Sequence, residues 1–144
     1  MALILNIDTS TSVCSVALAK DGKVIALKES NEGLNHSILL GTYIDELFKE
    51  ARITPHQLDA VAISMGPGSY TGLRIGVSMA KGVCYGRSVK LISVPTLELL
   101  CVPVLLSEQI QEEDALLCPM LDARRMEVYA QLFDRSLKEI RPIQ

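Results

Sequence analysis

The sequence predicts an α/β protein: a mixed five-stranded sheet in the order βββαβαβα, followed by the opening hairpin of a second unit of the same kind. Three observations support this prediction. Short alternating segments at the start of the chain predict three strands, and segments of helical periodicity then alternate with apolar runs. Residues 115–122 also repeat the pattern of residues 2–8, an apolar run that ends in an acid. A meander followed by strand–helix units gives a mixed sheet with helices on both faces.

The chain opens with three predicted strands, at residues 3–9, 12–19 and 24–29. Asp21-Gly22, between the second and the third, is a strong signal for a tight hairpin, so the three strands are expected to form an antiparallel meander. A polar loop over residues 31–35 leads to a helix over residues 36–52, in which apolar side chains recur on one face. Pro55 ends that segment.

Two strand–helix units follow, with strands at residues 58–65 and 89–95 and helices at residues 69–87 and 96–106. The first of these strands does not alternate cleanly, which is typical of a strand that is buried on both faces. Ser69 and Thr96 are predicted to cap the two helices, because a hydroxyl oxygen can accept a hydrogen bond from a free N–H group at a helix start. Pro103 lies inside the last helix and predicts a kink there.

The first of these two helices is rich in glycine, and the rest of the chain is organised around it. Gly72, Gly76 and Ala80 recur every four residues. Each interior glycine costs a helix about 1 kcal/mol relative to alanine, so the close approach of another backbone is expected to offset the cost. Two interpretations are open: the helix packs tightly on its own sheet, or it presents a flat face to a partner protein. Two basic residues interrupt the segment and exclude a bilayer.

The composition limits the function. With 144 residues, 49% of them hydrophobic and only 4% aromatic, the chain suits one domain with an aliphatic core. A net charge of -3 argues against autonomous nucleic-acid binding, which needs a clustered basic face. The four cysteines form no C-x-x-C pair and predict buried thiols in a reducing compartment. No signal peptide and no membrane-spanning run is recognisable, so the sequence predicts a cytoplasmic protein without membrane contact.

The repeated pattern predicts a division of the chain. Aligning Asp8 with Asp122 places two strand–acid–turn–strand units in register, and residues 126–133 then alternate as the second strand of the chain does. The segment between the two units is polar and acidic, which is typical of a linker. The sequence therefore predicts a first lobe over residues 1–107, and a linker with the opening strands of a truncated second lobe over residues 108–144.

Two units of this kind, each with an acid after its first strand, resemble the superfamily of actin, hexokinase and the heat-shock-chaperone ATPases, whose lobes have an actin-like, ribonuclease H-like fold. The likeness to one family is closer. NIDTSTSVCSVAL, GPGSYTGLRIGVSMAKGV, SVPTLELL and LDARRMEVYA resemble segments of the bacterial TsaB family, also called YeaZ; they occupy residues 6–18, 66–83, 93–100 and 121–130. This resemblance extends over nearly the whole chain.

The resemblance implies a function in tRNA modification. TsaB is a partner of TsaD, the transferase that makes N6-threonylcarbamoyladenosine at position 37 of tRNA. The chain is therefore expected to bind and activate TsaD as a non-catalytic scaffold subunit. The expected partners are TsaD, the ATPase TsaE through it, and a second copy of the chain in isolation, with tRNA bound only indirectly. The historical glycoprotease label of the family finds no support in the residues.

The resemblance also implies that the metal of the transferase is missing. TsaD holds a metal with an H-x-x-x-H pair, and Thr96 and Leu100 occupy the matching positions here. Neither side chain can replace an imidazole ligand. The two histidines, His36 and His56, are isolated and more typical of surface or capping groups than of ligands. We therefore expect no catalytic residue, no metal and no cofactor.

A partner surface is predicted on two helices. The helices at residues 36–52 and 69–87 flank one strand and are expected to lie side by side on one face of the sheet. The resemblance implies that this pair packs against TsaD or against a second copy. Small residues allow close helix approach, and apolar residues lie at the edges of the stripes. The predicted interface residues are Leu39, Tyr43, Gly72, Gly76, Met79 and Ala80.

The two predicted turns suggest a different function. In the superfamily, phosphates lie between the two hairpins, and here the candidate residues are Asp8, Thr9, Ser10 and Asp122. Short polar side chains and free N–H groups of such turns can bind an anion, but the same residues can also serve only to close the turns. The alternative function is an ATP-handling enzyme of the actin-like superfamily. ATP or ADP is expected to bind weakly, and only with a complete second lobe or within the complex with TsaD.

Overall fold

The computed structural model of the chain describes residues 2–31 and 36–144, and within these residues the predicted order βββαβαβα is confirmed. The strands are β1 (Leu3–Asp8), β2 (Cys14–Lys20), β3 (Lys23–Ser30), β4 (Ala60–Ser64) and β5 (Lys90–Val94), and the helices are α1 (His36–Ala51), α2 (Tyr70–Arg87) and α3 (Thr96–Leu106). Most of the predicted polar loop, residues 32–35, lies outside the described residues. None of the described helices combines the length and the apolar character needed to cross a bilayer.

The five strands form one mixed sheet in the order β3-β2-β1-β4-β5. β2 runs antiparallel to β1 and β3, whereas β1, β4 and β5 are parallel to one another. In the centre of the sheet, Asn6 of β1 lies opposite Ala17 of β2 and Ala62 of β4. This is the topology expected when a meander precedes two strand–helix units.

One face of the sheet carries the main hydrophobic core. Leu3, Leu5 and Ile7 of β1 alternate with half-buried residues and point to this face. α1 and α2 cover the face side by side, as predicted, and the side chain of Met79 in α2 reaches Gly41 in α1. Both helices and the neighbouring strands complete the core with Val16, Leu18, Leu40, Leu47, Phe48, Val61, Ile63, Ala80 and Cys84.

The opposite face of the sheet is lined by small and polar residues at its centre. Asn6, Ala17 and Ala62 form, together with Leu99 of α3, a recess of about 140 Å³. α3 therefore lies on the face opposite to α1 and α2, and the expected placement of helices on both faces is confirmed.

One of the two predicted helix caps is confirmed. Ser69 caps α2, because its Oγ accepts a hydrogen bond from the N–H of Gly72 at 3.2 Å. The cap predicted at Thr96 is wrong, because Thr96 is the first residue of α3 and Pro95 precedes it as the cap. Thr96 Oγ1 instead accepts a hydrogen bond from the N–H of Gly66 at 3.1 Å. The hydroxyl thus ties α3 to the turn before α2.

The small-residue stripe of α2 packs on the chain's own sheet. Gly72, Gly76 and Ala80 are buried. A Cβ at Gly72 would overlap the carbonyl oxygen of Thr9, and a Cβ at Gly76 would overlap Thr9 Oγ1 and press on Ile63. The prediction that these three residues contact a partner is therefore wrong, because the turn after β1 and the strands beneath occupy the space beside them.

Four short strands follow α3: β6 (Met120–Arg124), β7 (Glu127–Ala130), β8 (Leu132–Phe133) and β9 (Glu139–Arg141). β6 and β7 pair as the predicted second hairpin. The apolar run over residues 115–122 becomes a strand of this hairpin only at Met120, and Leu117 pairs instead with Phe133 of β8. The alternating segment over residues 126–133 is interrupted at Gln131, and β8 pairs with β9.

A second hydrophobic cluster joins α3 to these strands. Leu97 and Cys101 of α3 pack with Leu117 and Phe133. Leu117 and Phe133 also exchange two backbone hydrogen bonds, of 2.8 and 2.9 Å. α3 therefore shares its core with residues beyond the predicted boundary at residue 107. The division of the chain into two lobes at that boundary stays a prediction.

We expect Gly76→Ala to destabilise the chain, because the added methyl group would overlap Thr9 Oγ1 in a packed interior. Crowding of this kind costs about 1–3 kcal/mol, which outweighs the roughly 1 kcal/mol that alanine adds to helix propensity. Gly82→Ala is the matched control in the same helix, because nothing in the described residues beyond its own helix turn lies within 4 Å of a Cβ there. Urea unfolding should place the midpoint of Gly76→Ala below that of the unsubstituted chain and that of Gly82→Ala at or above it. An unchanged midpoint for Gly76→Ala would contradict the tight contact with Thr9.

Candidate functional site

A cleft of about 700 Å³ lies between the amino end of α2 and the hairpin of β6 and β7. Its walls carry hydroxyl groups, two tyrosine rings, one carboxylate and one guanidinium group. These groups belong to Ser10, Ser12, Ser69, Thr71, Tyr70, Tyr129, Asp122 and Arg124. The fold thus brings the two turns that the sequence predicted to opposite walls of one cleft.

The two acids of the internal repeat close their turns in the same way. Asp8 Oδ1 accepts hydrogen bonds from the N–H of Ser10 at 2.9 Å and from its hydroxyl at 2.6 Å. Asp122 Oδ1 accepts a hydrogen bond from the N–H of Arg124, also two residues further on, at 2.7 Å. A carboxylate that accepts a hydrogen bond from the backbone two residues later is typical of an Asx turn. The repeat is therefore present in the turns, and both acids have a structural role there.

Only part of the predicted phosphate-binding set faces the cleft. Ser10 and Asp122 line it, but Asp8 lines the recess on the opposite face of the sheet. Thr9 is fully buried, and its hydroxyl donates a hydrogen bond to the carbonyl oxygen of Gly72 at 2.6 Å. The structure corrects the prediction for Thr9, because this side chain holds α2 in place and does not face the cleft.

Three of the cysteines are buried and offer no nucleophile. Burial raises the pKa of the thiols of Cys14, Cys84 and Cys101, and the Asp8 carboxylate raises the pKa of Cys14 further. A thiol with a raised pKa stays protonated at neutral pH and is a poor nucleophile. These residues therefore act as small apolar side chains of the interior.

The positions matched to the metal ligands of the transferase have other environments here. Thr96 is buried and hydrogen-bonded to the turn before α2, whereas Leu100 is exposed. His36, expected at the surface, is buried and donates a hydrogen bond from Nε2 to the carbonyl oxygen of Thr11 at 2.8 Å. Within the described part of the chain, no group of three His, Cys, Asp or Glu side chains is arranged to hold a metal ion.

A second concave surface, which we call the helix groove, lies between α1 and α2. The half near the carboxyl ends of the helices has a volume of about 460 Å³, the half near their amino ends has about 700 Å³, and Val83 lines both. The groove is mainly apolar, with walls formed by Ile44, Phe48, Ile53, Ile75 and Met79.

Arg87 lies at the carboxyl end of the helix groove. One of its terminal nitrogens donates a hydrogen bond to Nδ1 of His56, which belongs to a short 3-10 helix, Pro55–Gln57. Its Nε is shielded from solvent and has no hydrogen-bond partner among the residues that the structure describes. At the rim of the same half, Lys49 and Asp45 of α1 form an ion pair at 2.6 Å.

The remaining predicted interface residues do not share one surface. Met79 lines the helix groove. Leu39 and Tyr43 are half-buried. Each is two residues away from Gly41, which lines the helix groove. Because residues two apart in a helix point in nearly opposite directions, Leu39 and Tyr43 lie on the other flank of α1. Whether Leu39 and Tyr43 contact a partner stays a prediction.

Sequence reasoning missed several residues of both surfaces. It did not assign Gly82, Gly86 or Arg87 to the helix groove, nor Tyr129 to the cleft. The spacing of four between the two glycines was a signal that could have found them. Arg124 and Tyr129 lie in the segment of residues 121–130 that carries the resemblance, but only the folded hairpin shows that their side chains line the cleft.

Comparison with known proteins shows to which protein family the chain belongs. A family model described as tRNA N6-adenosine threonylcarbamoyltransferase, TsaD, matches residues 30–143. A Bacillus subtilis protein described as tRNA threonylcarbamoyladenosine biosynthesis protein TsaB is 34% identical over 130 residues, which are 90% of this chain and 54% of that protein. The chain belongs to the TsaB (YeaZ) family.

Other relatives agree with this membership. The structure of YeaZ from Pseudomonas aeruginosa matches with a TM-score of 0.86 and 26% identity, covering 100% of this chain and 67% of that chain, which confirms the actin-like, ribonuclease H-like fold. A tRNA N6-adenosine threonylcarbamoyltransferase of Nitratidesulfovibrio vulgaris is 31% identical over 107 residues, 64% of this chain and 30% of that protein. This TsaB-family chain spans about half the length of the curated TsaB relatives that it matches first.

We expect Thr96→Val to destabilise this TsaB-family chain, because it would leave the N–H of Gly66 without its acceptor. A donor deprived of its partner in a shielded position costs about 1–3 kcal/mol. Thr96→Ser keeps the hydroxyl group and is the matched control. Urea unfolding should show a lower midpoint for the valine variant than for the serine variant. A valine variant at least as stable as the serine variant would contradict a stabilising contribution of this hydrogen bond.

Proposed function

We propose that this chain is a non-catalytic partner subunit in the formation of N6-threonylcarbamoyladenosine on tRNA, and that it binds and activates a TsaD-type transferase. Two relatives, at 34% and 32% identity, are described as tRNA threonylcarbamoyladenosine biosynthesis proteins, and a homologous transferase shares much of the same lobe. The mainly apolar groove between α1 and α2 supports a binding function. A shared fold alone does not imply that the chain shares the chemistry of the transferase.

The proposal that the subunit is catalytically silent rests on the hydrogen bonds of Thr96. The resemblance implies that the transferase has its metal-binding histidines at the positions of Thr96 and Leu100. Here the Thr96 N–H donates a hydrogen bond to the carbonyl oxygen of Gly66 at 3.0 Å, and its Oγ1 accepts one from the Gly66 N–H at 3.1 Å. Leu100 has no polar group for a metal. A structural role at this position supports a subunit without metal, cofactor or catalytic residue of its own.

The proposed assembly is a protein complex. The TsaD-type transferase is the direct partner, the ATPase TsaE joins through the transferase, and tRNA is bound by the complex. The net charge of -3 supports an indirect contact with tRNA, because autonomous RNA binding needs a clustered basic face. Without the transferase, we expect the chain to pair with a second copy of itself. The proposed location is the cytoplasm, and no membrane contact is expected.

The cleft supports a second candidate function, the binding of a nucleotide phosphate. The hydroxyl groups of Ser12 and Thr71 and the guanidinium group of Arg124 line it, and such donors suit phosphate oxygens. Two features weaken this alternative. Ser69 Oγ already accepts a hydrogen bond from the N–H of Gly72, which is one of the donors that would bind an anion at the start of α2. The carboxylate of Asp122, in the lining of the cleft, repels an anion. Nucleotide binding therefore ranks second, and we expect it only with a complete second lobe or within the complex.

Reconstitution tests the proposed function directly. We expect the purified chain to form a complex with the TsaD-type transferase of the same genome, measured by light scattering after size exclusion. With threonylcarbamoyl-adenylate and substrate tRNA supplied, the complex should form modified tRNA faster than the transferase alone. The physical reason is that a bound subunit can stabilise the active arrangement of the transferase without contributing a reacting group.

The chain without the transferase is the control in this assay and should form no modified tRNA. Modification by the chain alone would contradict its catalytic silence. A transferase that neither binds the chain nor responds to it would refute the proposed function as a whole.

We expect the chain by itself to bind ATP with a dissociation constant weaker than about 1 μM, that is, with less than about 8 kcal/mol of binding free energy. The reason is that the cleft has one guanidinium group opposed by one carboxylate in its lining. Isothermal titration calorimetry with MgATP measures this, with Arg124→Ala as the paired variant. Tight binding that Arg124→Ala abolishes would favour the nucleotide function instead.

A further inference from the structure

The recess on the face of the sheet opposite α1 and α2, of about 140 Å³, is lined by a row of three side chains that carry oxygen atoms. Ser15 of β2 lies opposite Asp8 of β1. On the other side of β1, Ser64 of β4 follows Ile63, which lies opposite Ile7, so Ser64 stands level with Asp8. Side chains that are level on neighbouring strands point to the same face and are about 5 Å apart. Ser15, Asp8 and Ser64 therefore meet at the carboxyl end of β1.

The oxygen atoms of this row lack partners among the described residues. Ser64 is only 3% exposed, and no hydrogen bond joins its hydroxyl group to a residue that the structure describes. The same holds for the hydroxyl group of Ser15 within residues 2–31 and 36–144. Asp8 uses Oδ1 to hold the turn at Ser10, and the described part of the chain places no cation within ion-pair distance of its carboxylate. Buried polar groups normally have partners, so these oxygen atoms are free to bind a ligand.

The rest of the lining adds one acceptor and an apolar end. The amide nitrogen of Asn6 donates hydrogen bonds to the carbonyl oxygens of Ile4 at 3.2 Å and Ala17 at 3.4 Å, which leaves Oδ1 to accept. Val94, next in the row on β5, and Leu99 of α3 add apolar surface beside Ser64. None of the described residues that line the recess is a cation. The recess therefore combines one negative charge with several acceptors.

This lining favours one kind of ligand over others. The carboxylate repels anions. Calcium takes about six to eight oxygen ligands, whereas the described lining offers one carboxylate among mostly apolar side chains. A primary ammonium group carries three N–H donors and one positive charge, and its fourth bond leads to carbon. One carboxylate and two hydroxyl groups match the three donors, and the apolar end of the row matches the carbon.

We propose that the recess binds the primary ammonium group of a small aliphatic amine. The three N–H groups donate hydrogen bonds to Asp8 Oδ2 and to the hydroxyl oxygens of Ser15 and Ser64, and the carbon stem lies against Val94 and Leu99. The volume of about 140 Å³ suits this ligand, because a water molecule takes up about 30 Å³ and an ammonium group with a short stem displaces a few of them. Among the described residues, the recess shares no lining with the cleft or the helix groove, so the binding of an amine does not depend on the proposed function.

Thermal unfolding tests the site, because the row comes together from three strands only in the folded chain. A ligand that binds only the folded state raises the unfolding temperature. We compare ethylammonium chloride with tetramethylammonium chloride, which has the same charge but no N–H donor, each at about 0.1 M so that screening is equal. The midpoint should be about 3 °C higher in ethylammonium chloride. Isothermal titration calorimetry with ethylammonium chloride should show binding to the unsubstituted chain.

Two variants locate the effect. Asp8→Asn keeps an Oδ1 acceptor for the turn at Ser10 but removes the charge, so the difference between the two salts should fall below about 1 °C. Ser64→Ala removes the buried acceptor and should reduce the difference by about half or more. In tetramethylammonium chloride, Ser64→Ala should unfold at or above the temperature of the unsubstituted chain, because it removes a buried hydroxyl group that has no partner among the described residues.

Matched controls separate the recess from general effects. Asp122→Asn makes the same exchange in the other Asx turn, which lies outside the recess. Ser78→Ala removes an exposed hydroxyl group of α2. Both variants should keep the full difference between the two salts. If Asp8→Asn fails to fold, Ser64→Ala and the calorimetry still decide the matter.

Three results would overturn the proposal. Equal unfolding temperatures in the two salts would show that the N–H donors are not recognised. A difference that both Asp8→Asn and Ser64→Ala retain would place the amine elsewhere on the chain. Equal stabilisation by potassium chloride at the same concentration would show that the recess takes a simple monovalent cation and not an amine.

Discussion

The architecture of both surfaces depends on the contact between Thr9 and the first turns of α2. The Thr9 hydroxyl, which has no solvent exposure, donates a hydrogen bond to the carbonyl oxygen of Gly72 at 2.6 Å. Beside it, the Ser69 N–H donates a hydrogen bond to the carbonyl oxygen of Ser10 at 2.6 Å. These bonds form only because Gly72 and Gly76 have no Cβ, so that the helix lies close to the turn after β1. The rim of the cleft and the line of the helix groove both follow from that position of α2.

The glycines of α2 lie in two different environments. Gly72 and Gly76 let α2 approach its own sheet, and the buried bonds and packing there offset their cost in helix propensity. Gly82 and Gly86 line the helix groove, and no described atom beyond their own helix turn lies within 4 Å of a Cβ at either position. The side of α2 that packs on the sheet and the side that lines the helix groove are thus neighbouring stripes of one helix.

Local patterns predicted the fold well because periodicity and caps are properties of short segments. The strand order, the hairpin at Asp21-Gly22 and the cap at Ser69 all follow from residues that are close in sequence. The errors involve contacts between distant residues. Thr96 bonds to a residue thirty positions away, and Leu117 pairs with β8, so neither contact leaves a local signal. The predicted stripe of small residues was correct as a stripe, but spacing alone could not decide which side of α2 meets the sheet.

The groove and the cleft differ in what they require from the rest of the fold. The groove is formed by residues 37–87, and the helices that form it belong to the main core with β1, β2 and β4. The cleft takes one wall from the hairpin of β6 and β7, where Leu121 packs on the separate cluster of α3. A change in the hairpin can therefore alter the lining of the cleft without touching the residues that line the groove. The two surfaces thus have separate supports except at α2, which forms one wall of each.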